Sequence, residues 1–392
     1  LTIIPLFIVM GVFAVRAGLA QAAFDLATSA FRRLPGGPAL ASLAGSGMFA
    51  AVTGSSVATV ATMARVSTDA IVRAGYSIRL AAGVVCAGGT LGVLIPPSIV
   101  LVLYGVVTEE SIGQLLIAGI GPGLLTIAVY AVTIVALVAW QRRRVADRDL
   151  VQVGTGSGSA TGEFAEEASE PIGRDITGFL YLVVIFAVSV GTIYLGVATP
   201  TEAASFGAFA ALVILLLRSR PSAWLRNIEE SLREAVGLTA MTFLLMVGAG
   251  VFTYVLALSG ASTSLVNAVT AADLPPYVVL IACLAVLLPL GMFLDGISMI
   301  LIAAPLLHPI LTGYGFDGIW IGVLIVKVAE MALITPPVGM NAFVYSGAVR
   351  EADLSKVFRG IVPFVVADLV VVALLIAFPA VVTFLPSMSG AQ

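Results

Sequence analysis

Of 392 residues, 60% are hydrophobic and 10% are charged, and the formal net charge is −3. Soluble globular domains carry about 25% charged residues, so the composition excludes a soluble domain and points to an all-α polytopic membrane protein. The two cysteines, Cys86 and Cys283, lie in apolar stretches and read as small core residues, which excludes a disulfide-built scaffold.

Apolar runs long enough to span a bilayer, about 17–25 residues each, are clearest at 113–140, 176–197, 235–258, 276–294 and 355–385. The opening "LTIIPLFIVMGVFAV" has no basic n-region or cleavage pattern, so it reads as part of a truncated spanning helix and not as a signal peptide. "AAVTGSSVATVAT" (50–62) lies within an apolar stretch bounded by Arg32, Arg33 and Arg65. With basic residues at both ends, it predicts a re-entrant hairpin over about 38–65 that enters and leaves from the cytoplasm, its tip at Gly54-Ser55-Ser56. "GTLGVLIPPS" (89–98) then predicts a broken helix over about 80–107. Proline removes an N–H, clashes with the carbonyl four residues back and pushes its predecessor out of helical geometry.

Residues 141–175 contain "RRRVADRDLVQVGTGSGSATGEFAEEASEPIGRD", which cannot bury apolar area and predicts a flexible cytoplasmic linker. "GVATPTEAASFGA" (196–208) predicts a periplasmic turn, with Pro200 and Glu202 suited to cap the helix starting near Thr201. "PSAWLRNIEESLREAVG" (221–237) alternates apolar and charged faces, predicting an interfacial arm helix over about 221–235. "LLPLGMFLDGISMILIAAP" (287–305) predicts a second hairpin over about 276–312 with Asp295–Ser298 at its tip. "ITPPVGMN" (334–341) predicts a second broken helix over about 317–348.

The two halves repeat. "GMF" at 47–49 returns at 291–293, Gly54 and Ser56 return as Gly296 and Ser298, and "IPPS" at 95–98 returns as "TPPV" at 335–338. "GVVTEESI" at 105–112 and "GIGP" at 119–122 return as "GAVREADL" at 347–354 and "GIVP" at 360–363. Order is kept and the offset stays between 240 and 244 residues, the mark of a duplication. The first repeat is 1–140, without its N-terminal part, and the second is 176–392. Arg32, Arg33, Arg65, Arg73 and Arg79 flank the first hairpin, whereas 259–276 and 309–319 hold no Lys or Arg. After the double proline the bias reverses: "TEES" at 108–111 is bare of basic residues and its counterpart carries Arg350, Lys356 and Arg359. The positive-inside rule therefore predicts that the repeats are inverted.

Inverted repeats with interrupted helices point to a secondary transporter whose site lies where the breaks meet. In lipid, freed carbonyls persist only where protein, water or an ion satisfies them, and those around Gly89–Pro96 and Thr335–Gly339 suit sodium. Alternatives stand beside each reading. The double prolines can be plain kinks, and Ser56 and Ser298 can bond back to their own helices. Asp295 reads as functional, as the N-cap of a returning helix, or as both. Lys327 and Glu330, at i and i+3, read mainly as an ion pair, and His308 as a partnered packing residue. The absence of HExxH, of a Cys/His cluster and of a GxxxxGK[ST] loop argues against an enzyme and an ATP-driven pump. A passive channel remains an alternative, because broken helices also build selectivity filters.

"IPLFIVMG", "GSSVATVATM", "GGTLGVLIPPSIVLVLYG", "TEESIGQLLIAGIGPG", "GVATPTEAASFGA", "LDGISMILI" and "ITPPVGMNAFV" together resemble the large membrane subunit of tripartite ATP-independent periplasmic (TRAP) transporters. The resemblance covers nearly the whole chain, departing at its start and in the 149–172 linker. It implies the ion-transporter-superfamily elevator fold in a bacterial inner membrane, with no cofactor beyond sodium as coupling ion. The implied activity is sodium-driven import of a carboxylate such as a C4-dicarboxylate, a sialic acid or another sugar acid. The implied partners are a periplasmic binding protein (the P subunit), a small four-helix membrane subunit (the Q subunit) and the lipid bilayer, with no nucleic acid. Carried onto matching positions, one sodium site would use Ser55 or Ser56 with Gly89, Thr90, Gly92, Val93 and Pro96. The other would use Gly296, Ser298, Thr335, Gly339 and Met340. The substrate would lie between the tips near Gly54, Thr59, Ser98, Asp295, Ser298 and Asn341.

Overall fold

The computed structural model describes residues 2–152, 172–260, 264 and 274–388, and among these every regular element is helical. Of the described helices, seven are long and apolar enough to cross a membrane, or up to nine if each bent pair counts as one span. The Gly/Ser/Thr-rich part of the expected linker, 153–171, lies outside the described residues, as do 261–263 and 265–273.

The chain begins with α1 (Ile3–Arg16) and α2 (Leu19–Phe31), bent by 62° at Ala17-Gly18. Two helices then form a hairpin, α3 (Gly37–Thr53) and α4 (Ser56–Arg73). Its second leg runs eight residues past the expected end at 65, because "VSTDAIVR" offers no breaker before Gly75, which takes φ +83°. α5 (Ile78–Leu94) and α6 (Ile99–Thr108) follow, bent by 42° about the double proline. After α7 (Ile112–Ala118), α8 runs from Ile120 to Gln152. The linker predicted from 141 therefore starts later: the Arg-, Ala- and Leu-rich segment after Gln141 favours helix, whereas the glycines from Gly154 onward do not.

The second half opens with α9 (Ile172–Phe186), which continues through a π-turn at Ala187–Gly191 to Tyr194. Next is α10 (Pro200–Arg218), whose start is a full capping box. Glu202 N–H donates to Thr199 Oγ1 at 3.3 Å, and Thr199 N–H donates to Glu202 Oε2 at 2.8 Å. The predicted arm at 221–235 is not a separate element. A 3₁₀ turn, Pro221–Ala223, leads into one continuous helix, α11 (Trp224–Leu258), since nothing between Glu230 and Thr239 breaks a helix except the tolerated Gly237. Arg16 holds its polar end through Glu230 at 2.5 Å and Glu234 at 3.2 Å.

A second hairpin follows, α12 (Pro276–Phe293) and α13 (Gly296–Gly313), then α14 (Gly318–Ile334) and α15 (Met340–Ala348) on either side of the second double proline. The predicted 355–385 span is two helices, α16 (Leu354–Ala377) and α17 (Ala380–Met388), because Pro379 cannot continue the ladder and disfavours helical geometry at Phe378. Both double prolines carry a cis peptide, Pro96-Pro97 and Pro336-Pro337. Small residues set the closest crossings. A Cβ on Gly83 would stand 2.2 Å from Gly360 O, and one on Gly360 would stand 2.0 Å from Arg79 O. That contact seats α5 directly on α16.

Candidate functional site

The first hairpin turns at Gly54, in the left-handed region at φ +59°, where a Cβ would meet Pro97 O at 2.6 Å. The tip therefore rests on the α5–α6 break. Ser55 caps α4 through Ala58 N–H at 3.4 Å, and Ser98 caps α6 through Leu101 N–H at 3.1 Å. Gly89 and Gly92 form the floor beneath the tip. A Cβ on Gly92 would come 3.0 Å from Ser55 O, and one on Gly89 would come 2.2 Å from Val60 Cγ2 and 3.1 Å from Ser56 O. Thr59 donates to Ser55 O at 2.8 Å and lies 3.0 Å from the Thr53 hydroxyl.

The second tip, Leu294-Asp295, rests on the second broken helix in the same way. A Cβ on Gly291 would meet Ala332 Cβ at 2.5 Å, and one on Gly296 would meet Glu330 Oε1 at 3.0 Å. Asp295 is the N-cap of α13, accepting from Ile297 N–H at 3.2 Å, and its other oxygen accepts from the Ser298 hydroxyl. Asp295 thus serves as the N-cap that the sequence offered as one of its two roles.

Each broken helix ends with main-chain acceptors to spare. The last carbonyls of a helix lack intrahelical donors. In α5 the Leu91 carbonyl takes Ile95 N–H at 3.0 Å, and Gly92, Val93 and Leu94 follow it, with Pro96 unable to donate. In α14 the Met331 carbonyl takes the Thr335 hydroxyl at 2.6 Å, and Ala332 takes Thr335 N–H at 3.1 Å. Gly339, at φ +55°, turns the chain into α15 at Met340.

The two units meet at Asn341. Its Nδ2 donates to Ser56 Oγ at 2.8 Å and to Cys86 O at 3.4 Å, joining the first tip, α5 and α15. Of the sequence-derived candidates, Gly54, Ser55, Ser56, Thr59, Gly89, Gly92 and Ser98 are thus gathered at the first tip. Gly296, Ser298, Asp295, Thr335, Gly339 and Met340 lie at the second tip and break, and Asn341 bridges the two. Val93 and Pro96 are buried within the first break. Thr90 stands apart: its hydroxyl donates to Ala87 O at 2.7 Å and lies 3.2 Å from the Tyr130 hydroxyl.

The expected Lys327–Glu330 pair is not formed. Lys327 Nζ donates instead to Asp368 Oδ1 on α16 at 2.5 Å, and Tyr130 donates to the same oxygen at 2.7 Å. Lys327 and Asp368 are both fully buried, so the partner across the helix interface captures the ammonium, while Glu330 Oε1 faces the second tip at Gly296. Sequence reasoning passed over Asp368, although a lone carboxylate inside a 24-residue apolar helix was its signal. His308 is a partnered packing residue, with Nε2 3.0 Å from Glu110 Oε1 and its ring edge-on to Tyr104.

The family model for the DctM component of tripartite ATP-independent periplasmic transporters matches residues 1–381. The chain belongs to this TRAP family. It is 35% identical to the C4-dicarboxylate TRAP transporter large permease protein DctM of Pseudomonas aeruginosa, over 99% of this chain and 86% of that protein. It is 31% identical to the isethionate TRAP transporter permease protein DctMQ of Oleidesulfovibrio alaskensis, over 97% of this chain and 57% of that one. In fold it is similar to the Alcanivorax borkumensis YdaH transporter, with a TM-score of 0.63 at 14% identity, covering 97% of this chain and 86% of that chain. The chain is therefore a multi-pass TRAP permease, a transport protein and not an enzyme.

Proposed function

We propose that this TRAP permease imports an organic anion, most directly a carboxylate of the C4-dicarboxylate or sugar-acid class, by coupling it to sodium entry across the bacterial inner membrane. The reading rests on one observation: two hairpin tips are each seated on a broken helix, and the units are tied together by the 2.8 Å Asn341–Ser56 hydrogen bond. Sodium takes hard oxygen ligands, and the carbonyls after Leu91 and Ala332, together with the Ser55, Ser56 and Ser298 hydroxyls at the hairpin tips, are oxygens of that kind. The substrate lies between the tips, against Gly54, Thr59, Ser98, Asp295 and Asn341. The charge bias along the two halves supports an inverted relation, and with it an elevator-type exchange of the site between the two faces.

A periplasmic binding protein delivers the anion and a small membrane subunit completes the scaffold. The name of the Oleidesulfovibrio relative, DctMQ, and the 57% of its length that this chain spans support a second membrane component. Reconstitution of the complete system in proteoliposomes tests the proposal. Radiolabelled C4-dicarboxylate should accumulate only with an inward sodium gradient and should exchange against unlabelled substrate in counterflow. Uptake indifferent to sodium would contradict the coupling. An unsaturable flux far above ~10³ per second would make the protein a channel, beyond the ordinary range for a step limited by conformational change.

A further inference from the structure

We infer that the cytoplasmic end of the hairpin bundle is a docking face for the headgroups of anionic phospholipids. Three chain corners build it, bringing together Arg32 and Arg33, Arg73 and Arg79, and Arg350, Lys356 and Arg359. The cytoplasmic side follows from the positive-inside bias. The face lies at the ends of α4 and α5 remote from the first tip and the first break.

The corners are far apart in sequence and are held together by short contacts. Gly36 N–H, at the α2–α3 corner, donates to the Tyr76 hydroxyl at 2.8 Å, and a Cβ on Gly360 would stand 2.0 Å from Arg79 O. All seven cations are exposed, and among the described residues none is paired with a carboxylate. The same corners hold three carboxylates, Asp69, Glu351 and Asp353, so positive charge is in excess. The other end of the bundle is the reverse. There the Tyr104 hydroxyl joins α6 to the α13–α14 corner through Gly318 O at 3.0 Å, and 108–111 and 309–319 hold Glu109, Glu110 and Asp317 with no Lys or Arg. A topological signal needs the charges alone. Here apolar side chains stand open among them: Leu34, Val72 and Phe343 are 50%, 41% and 49% exposed, and Phe343 lies edge-on to Phe358, beside Arg359. Open cations mixed with open apolar groups suit the boundary between headgroups and acyl chains. A guanidinium meets two phosphate oxygens at once, and each Lys or Arg held near an anionic leaflet adds attraction.

Melting temperature of the full chain, purified in a neutral detergent, tests the face through three titrations: short-chain phosphatidylglycerol, short-chain phosphatidylcholine and potassium phosphate. Phosphatidylglycerol should raise the melting temperature to a plateau, because a ligand that prefers the folded state stabilises it. Phosphatidylcholine and free phosphate should leave it nearly unchanged, and added KCl should weaken the phosphatidylglycerol response by screening. The double variants Arg73→Gln with Arg79→Gln, and Lys356→Gln with Arg359→Gln, should each raise the phosphatidylglycerol midpoint about tenfold or more, the scale for losing two charges against an anionic surface. Arg220→Gln with Arg226→Gln, away from the three corners, should keep the wild-type midpoint. Equal responses to the two lipids would overturn recognition of headgroup charge. A phosphate response matching that of phosphatidylglycerol would make the face a site for soluble anions and overturn the lipid reading. Wild-type midpoints in the first two double variants, or an equal shift in the third, would overturn the assignment to this face. Should a double variant fail to purify, its two single variants decide: a raised midpoint supports the face and an unchanged one overturns it. None of these readouts involves sodium-driven uptake, so failure here leaves the transport reading intact.

Discussion

The α3–α4 hairpin turns on a buried Gly54 and an uncharged Ser55, over a first break whose residues Pro96, Pro97 and Ser98 are all buried. The α12–α13 hairpin turns on a half-buried Asp295 beside Phe293, which is 72% exposed, over a break whose Pro337 reaches the surface. Backbone plan is common to both: a two-residue tip, a double proline, and glycines at the contact. Side-chain chemistry is not. The first unit relies on close packing of small residues, so its geometry is held by sterics. The second carries the buried ionic residues Lys327 and Glu330, at positions matched to Ala87 and Thr90, so its geometry is held by electrostatics. The two units share a plan, and the buried ionic residues lie at matched positions in the second alone.

That contrast can be broken most forcefully at the ion pair. Asp368→Leu strands the Lys327 ammonium in the core and should cost about 3–5 kcal/mol, whereas Lys327→Met with Asp368→Leu should recover most of it. Thermal unfolding of the single and double variants checks this, and a double variant no better than the single one would refute an isolated pair. The steric side comes next. Gly54→Ala puts a Cβ into the left-handed region and against Pro97 O at 2.6 Å. It should lose about 1–3 kcal/mol and most transport. Gly296→Ala has one close contact, the Glu330 Oε1 side-chain oxygen at 3.0 Å, and should cost less than half as much in the same melting assay. A reversed ranking would mean that the tips do not differ in this way.

How far the sequence reached follows the same division. The breaks and tips were legible because prolines, glycines and the paired motifs act locally, and local chemistry shows in a single chain. The Lys327–Asp368–Tyr130 cluster was not, since it joins residues 41 and 238 positions apart and depends on which helix faces which. Lys327 and Glu330 at i and i+3 pointed to a pair that tertiary packing divided. The end of the linker-side helix and the length of α11 were missed for the opposite reason: charged residues suggested a boundary where helix propensity raised no obstacle.

Smaller effects sharpen the comparison at the hydroxyls. Ser56 accepts from Asn341 across the two units, and Ser298 donates to Asp295 within one tip. Ser56→Ala should therefore raise the sodium concentration for half-maximal uptake by about tenfold, and Ser298→Ala by only about two- to threefold. Equal sodium curves for the two variants would remove the distinction. The exposed face of α12 predicts a gentler difference, with amide exchange faster in α12 than in α3 because fewer apolar contacts protect it. Hydrogen-exchange mass spectrometry reads it directly.

The central claim is that two hairpin units of opposite orientation share one site, and orientation is measurable without knowing the substrate. Single cysteines replace Asp69, near the end of α4, and Gly313, at the end of α13, with Cys283 changed to serine and the buried Cys86 left in place. A membrane-impermeant maleimide applied to intact cells should label Gly313→Cys, and should reach Asp69→Cys only after the membrane is opened. Labelling of both positions from the same side would contradict the account.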